Sequence, residues 1–126
     1  MARRSPQTVA PRDFLPLSPT DFQVLLVLAR GPAHGYGIMK DVEESSGGMV
    51  RIELGSLYRL IARLLATGMI EEASAVDHPP HAGKKRRTYE ITQLGLAVTR
   101  ADAERMSDTL SLARSEKLLA GSDGAR

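Results

Sequence analysis

The hydrophobic period of this chain changes twice, and that change limits the folds open to it. From Ser18 to Thr67 apolar residues recur mainly at helical spacing, Met69 to Ser74 and Arg87 to Thr92 read as strands, and from Gln93 the helical spacing returns. The expected order is helix, helix, helix, hairpin, long helix. With 126 residues, the chain has the length of one domain. Aromatic residues make up only 4% and Trp is absent, so Leu, Ile, Val, Met and Ala must build the core. A small core of this kind gains from a partner subunit. Cys is also absent, which excludes disulfides, thiolate metal sites and cysteine nucleophiles.

Local signals set the expected boundaries. Residues 1–17, with Pro6, Pro11 and Pro16, show no sustained period and read as a flexible N-terminal arm. Ser18 can cap the first helix, with Pro19 at its first position and Asp21 where a capping-box acid belongs. Phe22, Leu25, Leu26 and Ala29 give that helix its expected buried stripe, and Gly31-Pro32 ends it. A second helix is expected from about Gly35 to Ser46, with Ile38, Met39 and Val42 inward and Gly47-Gly48 as its stop. An extended piece, Met49 to Glu53, leads to a third helix from Gly55 to Thr67. There Leu57, Leu60, Ile61, Leu64 and Leu65 form one apolar face, opposed by Ser56, Arg59, Ala62, Arg63 and Ala66.

Two strands follow, Met69 to Ser74 and Arg87 to Thr92, joined by a loop, Ala75 to Arg86, that holds Pro79-Pro80 and Lys84-Lys85-Arg86, so that the basic run ends on Arg87 of the second strand. The last pattern runs from Gln93 to Leu119 with Thr92 as its cap. Its Leu96, Thr99, Ala103, Met106, Leu110 and Ala113 repeat as the seam of a helix that packs along a partner helix. Residues 18–92 are thus expected to be one domain, 93–120 a dimerisation helix and 121–126 a polar tail.

The formal net charge is only +2, so the basic run matters by its concentration. A strip of four cations on an otherwise nearly neutral chain suits an anionic partner met at one place, although such runs are also often just solvated loops. No signal-peptide core follows the basic N-terminus, and the longest apolar run, Val24 to Ala29, is far below the ~20 residues of a membrane span. A cytoplasmic location is expected. Carboxylates are scattered rather than paired, and no nucleophile-base arrangement is suggested, so an enzyme is not expected. Asp77, His78 and His81 lie close together, but a Pro-rich loop is a poorly preorganised metal cage, and no metal or other cofactor is expected.

The element order is that of a winged helix-turn-helix, a mainly α fold with a small β wing. Its third helix must hold the core with one face and offer small residues and Arg to DNA with the other. Gly55 to Thr67 meets both demands, and the basic loop meets the demand on a wing. The alternative is a winged-helix module that binds protein, since fold alone does not set function.

The chain resembles PadR-family transcriptional regulators. The resemblance is carried by Leu17-Ser18-Pro19, then Gly31-Pro32-Ala33-His34-Gly35-Tyr36-Gly37-Ile38, then Gly55-Ser56-Leu57-Tyr58-Arg59-Leu60. It continues through Gly68-Met69-Ile70-Glu71 and Lys85-Arg86-Arg87-Thr88-Tyr89-Glu90-Ile91-Thr92 into Leu94-Gly95. It implies a bacterial repressor, dimeric through its C-terminal helix and in many members released from DNA by a small molecule. The single long helix is similar to the short-tailed branch of the family. Leu54 stands where the family often has Pro, and Gly37 where it often has an acid. The Trp that stacks flat drugs in some members has no counterpart here.

By position, the expected DNA contacts are His34, Tyr36, Ser56, Tyr58, Arg59, Arg63, Lys84, Lys85 and Arg86. Each has a structural alternative. Tyr58 reads as a phosphate or base contact, or as a half-buried core ring. Arg59 and Arg63, one turn apart, read as groove contacts or as partners of Glu53 or a wing acid. Ser56 can donate to phosphate or cap its helix, and His34 and Tyr36 can meet phosphate or shape their turn. Arg87, at the start of a strand, can be structural. Leu96, Ala103, Met106, Leu110 and Ala113 are the expected dimer interface.

Overall fold

The computed structural model describes residues 10–73 and 87–119. The order is a 3-10 turn (Pro11–Phe14), α1 (Pro19–Ala29), β1 (Ala33–His34), α2 (Gly35–Ser45), α3 (Leu54–Thr67), β2 (Ile70–Glu72), β3 (Thr88–Ile91) and α4 (Gln93–Ser115). This is the mainly α winged-helix architecture that the periods predict. No described helix is long and apolar enough to cross a membrane.

Side chains cap three of the four helices. Ser18 Oγ accepts from the Asp21 amide at 3.0 Å, with Pro19 at the first helical position. His34 Nδ1 accepts from the Gly37 amide at 3.2 Å to start α2. Thr92 Oγ1 accepts from the Gly95 amide at 3.1 Å and donates to the Gly68 carbonyl at 2.6 Å, so one hydroxyl caps α4 and ties it to the end of α3. Gly68, with φ +83°, ends α3 in the left-handed conformation that glycine adopts without strain.

The core joins Val24, Leu25, Val27 and Leu28 of α1 to Ile38 and Val42 of α2, Leu57, Leu60, Ile61 and Leu64 of α3, and Val98 of α4. The inward faces of α2 and α3 are those expected from their spacing. The face of α1 is not. Leu26 is exposed, as is Ala29, and Val24, Val27 and Leu28 are buried instead. Residues 24–29 are apolar all round, so their period selects no face; the contacts of α1 with α2, α4 and β3 select it.

The sheet has three antiparallel strands in the order β1-β3-β2. Ile70 lies opposite Ile91, Glu71 opposite Glu90 and Glu72 opposite Tyr89. The strands are shorter than the alternation suggests, and residues 51–53 form no strand. The two-residue β1, Ala33 opposite Tyr89 and His34 opposite Thr88, was not expected, because two residues carry no readable period. Burial raises the pKa of the Tyr89 hydroxyl above its ordinary 10.0, against the opposing pull of Arg87.

The expected arm is structured over its described part. Pro11–Phe14 turn against α4, and Phe14, Leu15 and Leu17 pack on the core. Prolines without a period gave no sign of this, since the anchoring comes from three isolated apolar side chains. The first half of α4 also differs from expectation. Gly95, Val98, Thr99 and Asp102 are buried in the chain's own body, so Thr99 belongs to this core and not to a partner seam. Its hydroxyl donates to the Gly95 carbonyl at 2.7 Å. Asp102 accepts from Arg105 Nε at 2.7 Å through Oδ1, while its buried Oδ2 has no partner among the described residues.

Candidate nucleic-acid interface

α2, the loop through Gly47-Gly48, and α3 form the helix-turn-helix, and the burial of α3 decides which residues it presents. Leu57, Leu60, Ile61 and Leu64 face inward, while Ser56, Tyr58, Arg59, Ala62 and Arg63 are exposed. Tyr36 stands at the start of α2 and is 60% exposed. Tyr58 is 51% exposed, and its hydroxyl rests against α2, 3.3 Å from where a Cβ on Gly35 would stand. The two readings of Tyr58 are therefore compatible: one edge of the ring packs and the other is open. His34 is only partly exposed, since its Nδ1 serves the α2 cap.

The two arginines of α3 differ. Arg59 folds back over the first turn and donates from Nη2 to Ser56 Oγ at 3.3 Å. Arg63 is held by a fork of two bonds, Nη1 to Asp21 Oδ2 at 3.2 Å and Nη2 to Asp21 Oδ1 at 3.1 Å. That pair clamps α3 to α1. With the Arg63 side chain 53% exposed it is worth about 1 kcal/mol or less, but it fixes where the guanidinium sits. Among the described residues the partner of Arg63 is Asp21, not Glu53 or a wing acid. Asp21 is 42 residues away in the chain, and only the meeting of α1 with α3 brings the two together.

Glu53 precedes α3 and makes no side-chain cap bond, and no acid occupies the first turn of α3. The amino end of the helix therefore keeps the full positive character of its unpaired amides. Ser56 accepts from Arg59 and leaves that end uncapped. Arg87, just before β3, pairs with Glu72 of β2 at 3.0 Å. Lys84, Lys85 and Arg86, with Asp77, His78 and His81, lie outside the described residues. Among the described residues no group of three or more His, Cys, Asp or Glu is placed to hold a metal ion.

Beyond Asp102, α4 buries no side chain. Ala103 is exposed, Met106 and Ala113 are half-buried, and Leu110 and Leu112 are 45% and 68% exposed. Leu96, by contrast, lies partly buried near the start of the helix, beside Leu94 and the wing. From Ala103 onward none of the expected seam residues is fully buried, whereas Thr99 in the first half of the helix is.

Residues 24–101 match the family model described as the transcriptional regulator PadR-like family. A 34% identical relative, described as an uncharacterized 37.1 kDa protein in transposon TN4556 of Streptomyces fradiae, matches over 84 residues. The match covers 67% of this chain and 22% of that longer protein. Among solved structures, a transcriptional regulator from Clostridium thermocellum is similar with a TM-score of 0.60 and 25% identity, over 82% of this chain and 90% of that one. A PadR family transcription regulator from Clostridium difficile shares the fold with a TM-score of 0.66 at 17% identity, over 78% and 97% of the two chains. Bacillus subtilis PadR in complex with operator DNA shares it with a TM-score of 0.56 at 16% identity, over 72% and 48%.

Proposed function

The chain belongs to the PadR-like family of transcriptional regulators, and from that premise we propose that it is a homodimeric repressor that binds a pseudo-palindromic DNA operator. The observation that carries this reading is the two-sided α3. Its apolar face is engaged in the core, and its opposite face presents Ser56, Tyr58 and Arg59, with the Tyr58 hydroxyl against Gly35 at the start of α2. The operator complex of the structurally similar Bacillus subtilis PadR supports a role in DNA binding. In this reading α3 enters the major groove, and Tyr36, Tyr58, Ser56 and the α2 start at His34 meet backbone phosphates. Lys84, Lys85 and Arg86 of the wing loop neutralise flanking phosphates.

Arg59 is the base-reading arginine in this proposal, because its weak bond to Ser56 is easily exchanged for guanine O6 and N7. Arg63 instead positions α3 through Asp21. Two recognition helices would enter successive major grooves about 34–36 Å apart. A small-molecule effector would act by binding one spacing of those helices more tightly than the other. The cytoplasm is the place of action that fits this role.

The test is selection of bound genomic fragments by the purified protein at two salt concentrations. Recovery of a two-fold symmetric motif with half-sites about one helical turn apart is expected. Salt-sensitive binding without a motif would reduce the role to non-specific attachment, and no binding at either salt would favour a protein-binding module. Arg59→Ala is expected to weaken the operator complex by about 10- to 100-fold while leaving non-specific binding nearly unchanged. Equal loss on both kinds of DNA would make Arg59 a phosphate contact. Neutralising Lys84, Lys85 and Arg86 together is expected to weaken all sequences alike and to flatten the salt dependence by about one unit per lost phosphate contact. A titration that keeps the wild-type slope would remove the wing from the interface.

A further inference from the structure

We propose that the first turn of α3 reads a thymine methyl group through Leu54, with Gly55 allowing the helix backbone to come close enough for that contact. The proposal rests on the DNA-binding reading above and adds a specificity-determining residue to it.

Leu54 is the first residue of α3 and is 50% exposed. At that position an acid would serve the helix better, because it would oppose the positive end of the macrodipole. A leucine that half faces water does nothing comparable for folding. Gly55 is similar. A Cβ added there would meet only Arg59 Nη1, at 3.9 Å, which is ordinary contact, and its φ lies outside the left-handed region. Among the described residues nothing requires glycine at this place, although glycine is disfavoured in helices against alanine. Two neighbouring residues are thus poorer choices for the fold than simple replacements. A surface outside the chain accounts for both.

The chemistry of the turn indicates which surface. It has no acid and no side-chain cap, and the Arg59 guanidinium lies over it, bonded to Ser56. This electropositive end suits a polyanion, but Leu54 has no donor for a phosphate. The amino-terminal residues of a recognition helix reach base edges. On those edges in the major groove, the thymine C5-methyl is the apolar feature that a leucine can cover. Leu54 and Arg59 therefore form one reading head, in which the arginine takes a guanine and the leucine a nearby thymine.

Deoxyuridine lacks only that methyl, so it tests the contact from the DNA side without altering the protein. Each thymine of the selected operator is replaced in turn, symmetrically in both half-sites, and the affinity measured. One position is expected to respond, by about four-fold per half-site and on the order of 15-fold for the pair. Leu54→Ala is expected to lose a similar factor on the thymine operator, to bind both forms equally and to keep the wild-type salt slope. Gly55→Ala is expected to melt at or above the wild-type temperature and still bind the operator more weakly. Indifference of the wild type to deoxyuridine at every position would overturn the proposal, as would an undiminished deoxyuridine penalty in Leu54→Ala. Both results leave the operator itself in place; failure to recover an operator would overturn the DNA-binding reading and this one together.

Discussion

Met106→Asp combined with Leu110→Asp is expected to give a monomer that keeps its folded body and loses about 10²- to 10⁴-fold in affinity for a two-half-site operator. The size follows from linkage. In a dimer the second recognition helix binds at the effective concentration set by the first, and a monomer has no such gain. The site of the change follows from α4. Its 23 residues divide at Asp102: the first part is anchored in the core, while the rest has no fully buried residue. An isolated helical stretch of that length is marginal in water, because most helix stability in proteins comes from packing an apolar face. Ala103, Met106, Leu110 and Ala113 supply a narrow face at three-four-three spacing, which fits one partner helix. Sedimentation gives the oligomeric state, and titration against whole and half operators gives the affinity. A stable dimer in the double variant would place the interface elsewhere, whereas equal loss on half operators would point to unfolding.

Gly95→Ala is expected to destabilise the protein by about 2–3 kcal/mol, with Tm falling on the order of 10 °C at fixed protomer concentration. In an ordinary helix this change is stabilising by about 1 kcal/mol, so the expected sign is opposite to helix propensity. The cause is the approach of α4 to the wing. A Cβ at Gly95 would run into the Met69 carbonyl oxygen and would stand 2.7 Å from Ile91 Cγ1. That carbonyl cannot easily retreat, because it accepts from the Thr92 amide at 3.0 Å, and Thr92 is itself tied to Gly68. Thermal and urea denaturation measure the effect. A midpoint equal to or above that of the wild type would mean that α4 can slide off the wing without cost. Gly55→Ala is the internal contrast, since a Cβ there makes only ordinary contact, with Arg59 Nη1 at 3.9 Å.

Both predictions use features that were only partly legible in the sequence. The three-four spacing of the last helix was visible, but its division into an anchored and a free half was not. Leu96 and Thr99 carry the same period as Met106 and Leu110, and nothing local separates residues that meet their own core from those left for a partner. Gly95 could be read as permitting close approach, yet the surface approached, the Met69 carbonyl, lies 26 positions earlier and is set by the turn at Gly68. The inner face of α3 was legible because its apolar residues occupy one side only. That of α1 was not, because Val24 to Ala29 is apolar throughout.

The sequence by itself determined the kinds of elements, their order and most of their ends. Those depend on interactions within a turn or two: the Ser18, Thr92 and Gly68 caps, the Gly31-Pro32 break, and the change of period at the wing. It also marked the outward residues of α3, since burial of Leu57, Leu60, Ile61 and Leu64 leaves Ser56, Arg59 and Arg63 on the other side. Tertiary structure alone decided what those residues are free to do. Arg59 and Arg63 are equivalent in sequence, one turn apart on the same helix, but α1 brings Asp21 against only the second. Tertiary structure likewise placed Phe14, Leu15 and Leu17 on the core, added β1 to the edge of β3 and used the first half of α4 inside the chain. The physical reason is the range of the forces concerned. A cap or a period acts between residues a few positions apart, whereas an ion pair or a packed face needs elements that meet only after the chain has folded.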